Sequence, residues 1–136
     1  LAQLGSEHAL VINGADGLDE ITTATHTCVA ELKDSAIHTY IITPEEFGIA
    51  RQAIGPLKVS SPAQSLALIE RAFAGTEGVA LDMLALNAGA AIYAADIVAS
   101  LDAGVTRAKE LLLSGVVAQK WREFIELTQE LGQEPK

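Results

Sequence analysis

Two adjacent carboxylates, Asp19 and Glu20, offer the clearest potential for chemistry in this chain. They follow a short apolar run at 9–12 and a glycine-punctuated turn that also carries Asp16. In α/β proteins the loop beyond the carboxyl end of a strand is a common ligand site. Hard carboxylate oxygens suit Mg²⁺, which often bridges protein carboxylates and substrate phosphates. The spacing alone favours a simpler interpretation, an Asp-Gly turn with an Asp that caps a helix.

The other polar residues that stand out are interpreted as structural. The histidines His8, His26 and His38 lack metal-ligand spacing; the last two fall on facing strands of a predicted hairpin and could approach one another, but solvated or hydrogen-bonded strand histidines are favoured. Asn87 lies in a strongly apolar helix, where an unpaired polar group costs about 1–3 kcal/mol, so we expect it to pin a neighbouring loop. Cys28 fits an alternating strand pattern and is predicted to be a small buried hydrophobe.

Composition indicates one packed domain of acidic character. The chain has 136 residues, 49% of them hydrophobic, and a net charge of −9. This charge opposes binding to nucleic acid or to an anionic membrane, because phosphate contacts need clustered Lys and Arg. A phosphorylated small molecule held through a metal is compatible with it. A single cysteine, with neither a secretory leader nor a membrane-length apolar run, leads us to expect a cytoplasmic protein.

Hydrophobic periodicity predicts strands first and helices afterwards. The run at 9–12 is typical of a buried strand in a parallel sheet. Two β-rich segments joined by a polar turn predict an antiparallel hairpin at 25–32 and 37–43. Helical patterns follow at 62–74, 80–95, 100–114 and 117–131, and the end, 132–136, is predicted to fray. These elements predict an α/β fold, part of a mostly parallel sheet with an antiparallel hairpin and flanking helices.

Taken in order, these motifs resemble the C-terminal half of the anthranilate phosphoribosyltransferase family. The family pattern Gly-x-Asp-Gly-Leu-Asp-Glu is matched at 14–20, after the buried strand. The later matches are a Thr-x-Val-x-Glu-Leu strand at 27–32, Pro-Glu-Glu-Phe-Gly at 44–48, a Leu-Asn-Ala helix at 86–88, and a helix end at 108–115. The agreement covers nearly the whole chain.

The resemblance implies a fold, a reaction and a metal. The fold is the C-terminal domain of the nucleoside phosphorylase and phosphoribosyltransferase type. The reaction transfers the phosphoribosyl group from phosphoribosyl pyrophosphate to anthranilate in tryptophan biosynthesis. By resemblance Asp19 and Glu20 hold Mg²⁺, two ions per active site. No catalytic or substrate-binding side chain is carried over to this chain, since the anthranilate amine needs no strong base here.

The resemblance also implies a partner for this chain. Residues 1–136 match the C-terminal portion of the α/β domain, so we expect an N-terminal half that supplies a helical domain, a glycine-rich pyrophosphate loop and the contacts of a homodimer. The chain alone is then expected to be inactive.

Three positions depart from the family pattern, and two alternatives remain open. Asn13 stands where many members have His, Ser35 replaces a common hairpin Gly, and 59–62 lacks a Gly-Gly-Asp-like stretch. One alternative is a relative with the same scaffold and another acceptor, such as a pyrimidine nucleoside phosphorylase or a phosphoribosyltransferase-like paralogue. The other is a folded piece without catalytic activity. Its unpaired sheet edge would favour association with the missing half or with itself.

Overall fold

A computed structural model describes residues 1–133 as an α/β fold with a three-stranded sheet and four helices. The strands are β1 (Ala9–Gly14), β2 (Thr27–Lys33) and β3 (Ala36–Ile42), and the helices are α1 (Pro62–Phe73), α2 (Val79–Ala94), α3 (Leu101–Leu113) and α4 (Val116–Gln133). Short 3₁₀ turns lie at Ala2–Leu4, Pro44–Phe47 and Gly55–Leu57. Among residues 1–133, the helices are too short or too polar to cross a membrane.

The sheet is antiparallel in the part of the chain that the structure describes, and it confirms the predicted hairpin. Strand order is β1-β2-β3, and within the described residues both pairings are antiparallel, so the mostly parallel sheet is not seen there. The apolar run at 9–12 lies in a strand, as predicted, but the strand is buried on one face only, because its side chains alternate between the two faces of the sheet. Leu10 and Ile12 pack on the core, whereas Val11 is 56% exposed. The predicted β2–β3 hairpin is confirmed.

The hairpin turn is a tight one, made by Asp34 and Ser35. Both residues have positive φ, 51° and 61°. Two central residues in this region are typical of a type I′ turn, whose twist matches the right-handed twist of the strands. Ser35 therefore occupies a conformation that favours glycine.

Local capping explains where two of the helices begin. The Ser61 hydroxyl accepts a hydrogen bond from the Gln64 amide at 3.3 Å, and the Ser100 hydroxyl accepts one from the Ala103 amide at 3.2 Å. Each bond satisfies an amide that has no partner within its helix. All four predicted helices are confirmed. Helix α4 runs through Gly132 and Gln133, where fraying was predicted, and the rest of that tail lies outside the described residues.

The core lies between the inner face of the sheet and the helix pair α2–α3. Apolar side chains from all of these elements meet there, among them Val29, Ile42, Leu86, Val105 and Leu112. Helix α2 is buried on most sides, as predicted, and it lies directly against α3.

The outer face of the sheet is exposed and apolar, which corrects the prediction for Cys28. This cysteine is exposed, because in β2 it is the neighbouring Val29 that faces the core. Side chains alternate between the two faces of a strand, so Cys28 and Val29 point to opposite sides of the sheet. Val11, Ile37 and Ile41 are likewise 56%, 66% and 60% exposed.

Candidate functional site

The loop between β1 and β2 carries the two predicted metal ligands. Asp19 and Glu20 are both exposed, and the loop begins at the carboxyl end of β1, as the sequence predicts. Backbone hydrogen bonds close its base. The Gly14 amide donates to the Leu18 carbonyl at 2.8 Å, and the Ala15 amide donates to the His26 carbonyl at 3.0 Å.

Asp16 shapes this loop from within. Its Oδ2 accepts a hydrogen bond from the Thr22 hydroxyl at 2.7 Å, and its Oδ1 accepts one from the Leu18 amide at 3.4 Å. Gly14 makes room for this carboxylate, since a Cβ there would lie 2.6 Å from Asp16 Oδ1. The first acid of the motif is therefore committed to turn structure, leaving the adjacent pair for a ligand.

The chain turns inward immediately after Glu20. Ile21, Thr22 and Thr23 are 2%, 0% and 0% exposed. Polar groups in this buried segment are paired: the Thr22 amide donates to Thr27 Oγ1 at 3.2 Å, and the Gln52 amide donates to the Thr23 carbonyl at 2.8 Å. Two solvent-facing carboxylates are thus joined to a backbone held in the interior.

Asn87 on α2 pins this segment, which confirms the prediction made for it. Its Oδ1 accepts a hydrogen bond from the Ile21 amide at 2.8 Å, and its Nδ2 donates to the Ile21 carbonyl at 3.0 Å. The same Nδ2 also donates to the Met83 carbonyl, one helical turn back, at 2.9 Å. Every strong donor of the carboxamide is therefore used within the protein.

The donor set fits a magnesium ion that keeps other ligands. Within residues 1–133 neither Asp19 nor Glu20 forms an ion pair, and those residues include no group of three or more metal-binding side chains. A closed protein cage is thereby excluded for the described part of the chain. Mg²⁺ is commonly held by one or two carboxylates, with water and phosphate oxygens completing the octahedron. Two exposed carboxylates match that requirement.

The histidines do not assemble a metal site in the way the sequence left open. His38 lies opposite Glu31 in the β2–β3 ladder, whereas His26 precedes β2 and lies outside the ladder. The strand register therefore separates the two rings. His26 instead contacts the Thr25 hydroxyl at 3.5 Å.

A second polar cluster, which was not predicted from the sequence, lies at the opposite end of β1. His8 contacts Glu31 Oε1 at 3.1 Å and Asp96 Oδ1 at 2.8 Å, one through each ring nitrogen. The hydroxyls of Tyr93 and Tyr40 donate to Glu31 at 2.6 and 2.9 Å. The only sequence signal was the acid within the Thr-x-Val-x-Glu-Leu strand motif.

Hydrogen bonding lowers the pKa of both carboxyl groups in this cluster. Burial by itself would raise the pKa of Glu31, but the hydrogen bonds from Tyr93, Tyr40 and His8 outweigh it and lower that pKa. The hydrogen bond from His8 likewise lowers the pKa of Asp96. Burial and the Glu31 carboxylate raise the pKa of Tyr40. The cluster ties β2 and β3 to the end of α2, so its role is structural.

Comparisons with known proteins agree on one family. A model described as the glycosyl transferase family, α/β domain, matches residues 1–118. The chain is 49% identical to the anthranilate phosphoribosyltransferase of Alkalilimnicola ehrlichii, over 96% of this chain and 39% of that protein. It is 50% identical to that of Chromohalobacter salexigens, over 97% of this chain and 38% of that protein. The chain therefore spans less than two fifths of these relatives.

Solved structures give the same result. The anthranilate phosphoribosyltransferase of Thermus thermophilus matches with a TM-score of 0.79 and 35% identity, over 88% of this chain and 35% of that one. The Saccharomyces cerevisiae enzyme in complex with PRPP and Mg matches with a TM-score of 0.73 over 88% of this chain and 34% of that one; at 19% identity it shows the fold alone.

Proposed function

Since the chain belongs to the glycosyl transferase family with this α/β domain, we propose that it forms the metal-binding portion of an anthranilate phosphoribosyltransferase. The complete protein would transfer the phosphoribosyl group from phosphoribosyl pyrophosphate to anthranilate, in the cytoplasm, as a step of tryptophan biosynthesis. One observation carries the proposal: the exposed pair Asp19 and Glu20, in the loop at the carboxyl end of β1, stands immediately before a buried segment, 21–23, that Asn87 holds.

The proposed role of the pair follows from the charges in the reaction. Displacement at the anomeric carbon develops oxocarbenium character on the ribose, as in glycoside cleavage, and negative charge on the departing pyrophosphate. Bound Mg²⁺ would neutralise and orient that pyrophosphate. Asp19 and Glu20 would hold the metal, two ions per site, and the loop would keep their backbone in place while phosphate and water oxygens complete the coordination.

The remaining portion of the longer protein is the proposed partner. An apolar sheet face is normally covered by another layer, and the outer face with Val11, Ile37 and Ile41 is uncovered here. We propose that residues 1–136 are the C-terminal portion of a larger α/β domain, whose other strands pair in parallel with the free edge of β1. That portion would supply the pyrophosphate loop and the homodimer contacts.

The first experiment follows the loss of anthranilate fluorescence when Mg²⁺ and phosphoribosyl pyrophosphate are added to the longest natural protein that contains this chain. Metal-dependent consumption supports the proposed reaction. A folded protein that consumes no anthranilate refutes it and favours a relative with another acceptor.

The same assay tests the metal ligands. Asp19→Asn and Glu20→Gln should each raise the Mg²⁺ concentration needed for half-maximal turnover by about tenfold or more, since even outer-shell changes at metal sites cost roughly 10- to 100-fold. Their melting temperatures should not change, because both side chains are exposed. Glu70→Gln, an exposed acid on α1, is the matched control and should leave the titration unaltered. Identical Mg²⁺ titrations for all variants would refute the assignment.

A further inference from the structure

The side chain of Asn87, on helix α2, hydrogen-bonds to the loop that carries Asp19 and Glu20. Asn87 holds both the amide and the carbonyl of Ile21, from a position 66 residues away in the chain. The bond to the Met83 carbonyl holds the carboxamide in its orientation against its own helix. Because each of its donors is engaged, the Asn87 side chain has little rotational freedom. It therefore holds the loop in a fixed position relative to α2.

The hydrogen bonds from Asn87 act on Ile21, the residue that follows the proposed metal ligand Glu20. The Ile21 amide belongs to the same planar peptide unit as the Glu20 carbonyl, and the Ile21 carbonyl belongs to the next unit. When both peptide units are hydrogen-bonded, the backbone on the C-terminal side of Glu20 has lost most of its conformational freedom. The Asp16–Thr22 hydrogen bond, at 2.7 Å, restrains the loop from inside, whereas Asn87 restrains it against the core.

Helix α2 holds Asn87 firmly because the helix is closely packed in the core. Leu86, beside Asn87, is 0% exposed, and Ala85 is 0% exposed as well. Two residues further along, Gly89 meets α3 at Val105 and Gly104 without an intervening side chain. The loop is therefore attached to a closely packed part of the core.

We propose that Asn87 is a positioning residue that sets the Glu20 backbone for metal binding, an inference that rests on the proposed function of Asp19 and Glu20. Its amide does not touch the metal. It removes loop conformations that the carboxylates would otherwise sample, so less freedom is lost when the metal and the pyrophosphate bind. Loss of Asn87 should then weaken metal binding and leave turnover at saturating metal nearly unchanged.

The test measures metal binding directly in the longest natural protein that contains this chain. Mn²⁺, a paramagnetic substitute for Mg²⁺, is titrated by electron paramagnetic resonance in the presence of phosphoribosyl pyrophosphate. Asn87→Leu removes all three hydrogen bonds, and Asn87→Ser serves if the leucine variant does not fold. We expect the half-saturating Mn²⁺ concentration to rise about 10-fold, at the lower end of what supporting residues contribute to metal sites.

A control of similar stability separates positioning from general loosening. Val105→Ala opens a cavity in the same α2–α3 core and removes none of the three hydrogen bonds of Asn87, since Val105 is 3% exposed and lies beside Gly89 of α2. At a comparable loss of melting temperature, it should bind Mn²⁺ as the parent protein does. Equal weakening by Val105→Ala, or unchanged binding in the Asn87 variants, would overturn the proposal.

The acidic variants distinguish this failure from failure of the proposed function. If Asp19→Asn weakens Mn²⁺ binding and Asn87→Leu does not, only the positioning role of Asn87 is overturned. If Asp19→Asn and Glu20→Gln are also without effect, the metal assignment is wrong and the role of Asn87 falls with it.

Discussion

Gly89 is expected to tolerate no side chain, because helices α2 and α3 touch there through their backbones. An ideal Cβ at Gly89 would lie 2.5 Å from both the Cα and the amide nitrogen of Val105, and 2.8 Å from the carbonyl carbon of Gly104. Favourable carbon contacts begin near about 3.5 Å. The obstructing atoms are backbone, so a rotamer change cannot relieve the clash. The helices would have to separate by about 1 Å, the difference between these distances.

The net effect of Gly89→Ala combines two opposing contributions. Alanine is about 1 kcal/mol better than glycine in a helix interior. Overpacking of a core typically costs about 1–3 kcal/mol and sometimes more, and a gap of about 1 Å also forfeits a quarter to a half of the dispersion energy of the separated atoms. With the clash at the upper end of this range, we expect a net loss of about 2 kcal/mol. For a chain of this size that lowers the melting temperature by about 6–10 °C.

Urea unfolding followed by circular dichroism measures this loss, and Gly132→Ala is the matched control. A Cβ at Gly132 meets nothing within 4 Å, and the residue lies in α4. The same substitution should therefore stabilise there, by up to about 0.5–1 kcal/mol. Opposite signs for the two variants are the specific expectation. A Gly89→Ala protein as stable as its parent would refute the close approach of α2 and α3.

Two further predictions concern the sheet. Ser35→Gly should raise the free energy of unfolding by about 0.5–1 kcal/mol, since Ser35 has a φ of 61° where glycine carries no steric cost; a urea midpoint that does not rise would contradict this. Glu31→Gln should lower stability near neutral pH by about 2–4 kcal/mol, because hydrogen bonds to a charged group are lost. The pKa of Glu31 is below its ordinary 4.5 in the folded protein, so its contribution is complete above that value and is lost as the pH falls through the folded pKa. Unfolding at pH 7 and pH 3 should show a smaller deficit at pH 3, and an equal deficit at both would count against an ionised Glu31.

Elements whose signals are local were predictable from the sequence. The hairpin follows from two β-rich runs around a polar turn, and two helix starts follow from Ser61 and Ser100, whose hydroxyls cap the helices as expected. The loop that carries Asp19 and Glu20 was also predictable, because an apolar run followed by Gly and Asp residues specifies where a strand must end. In each case the atoms that interact are within a few residues of each other.

Strand direction and the choice of buried face were decided only by the tertiary structure. Four apolar residues at 9–12 look the same whether their neighbour runs parallel or antiparallel, and Cys28 and Val29 differ in exposure because only one face of β2 meets α2 and α3. The contact between Asn87 and Ile21 joins residues 66 positions apart, and His8 meets Asp96 across 88. Such pairs form only after the helices pack on the sheet, since their side chains share no local geometry. The sequence therefore placed the carboxylates on their loop, and packing decided what holds that loop still.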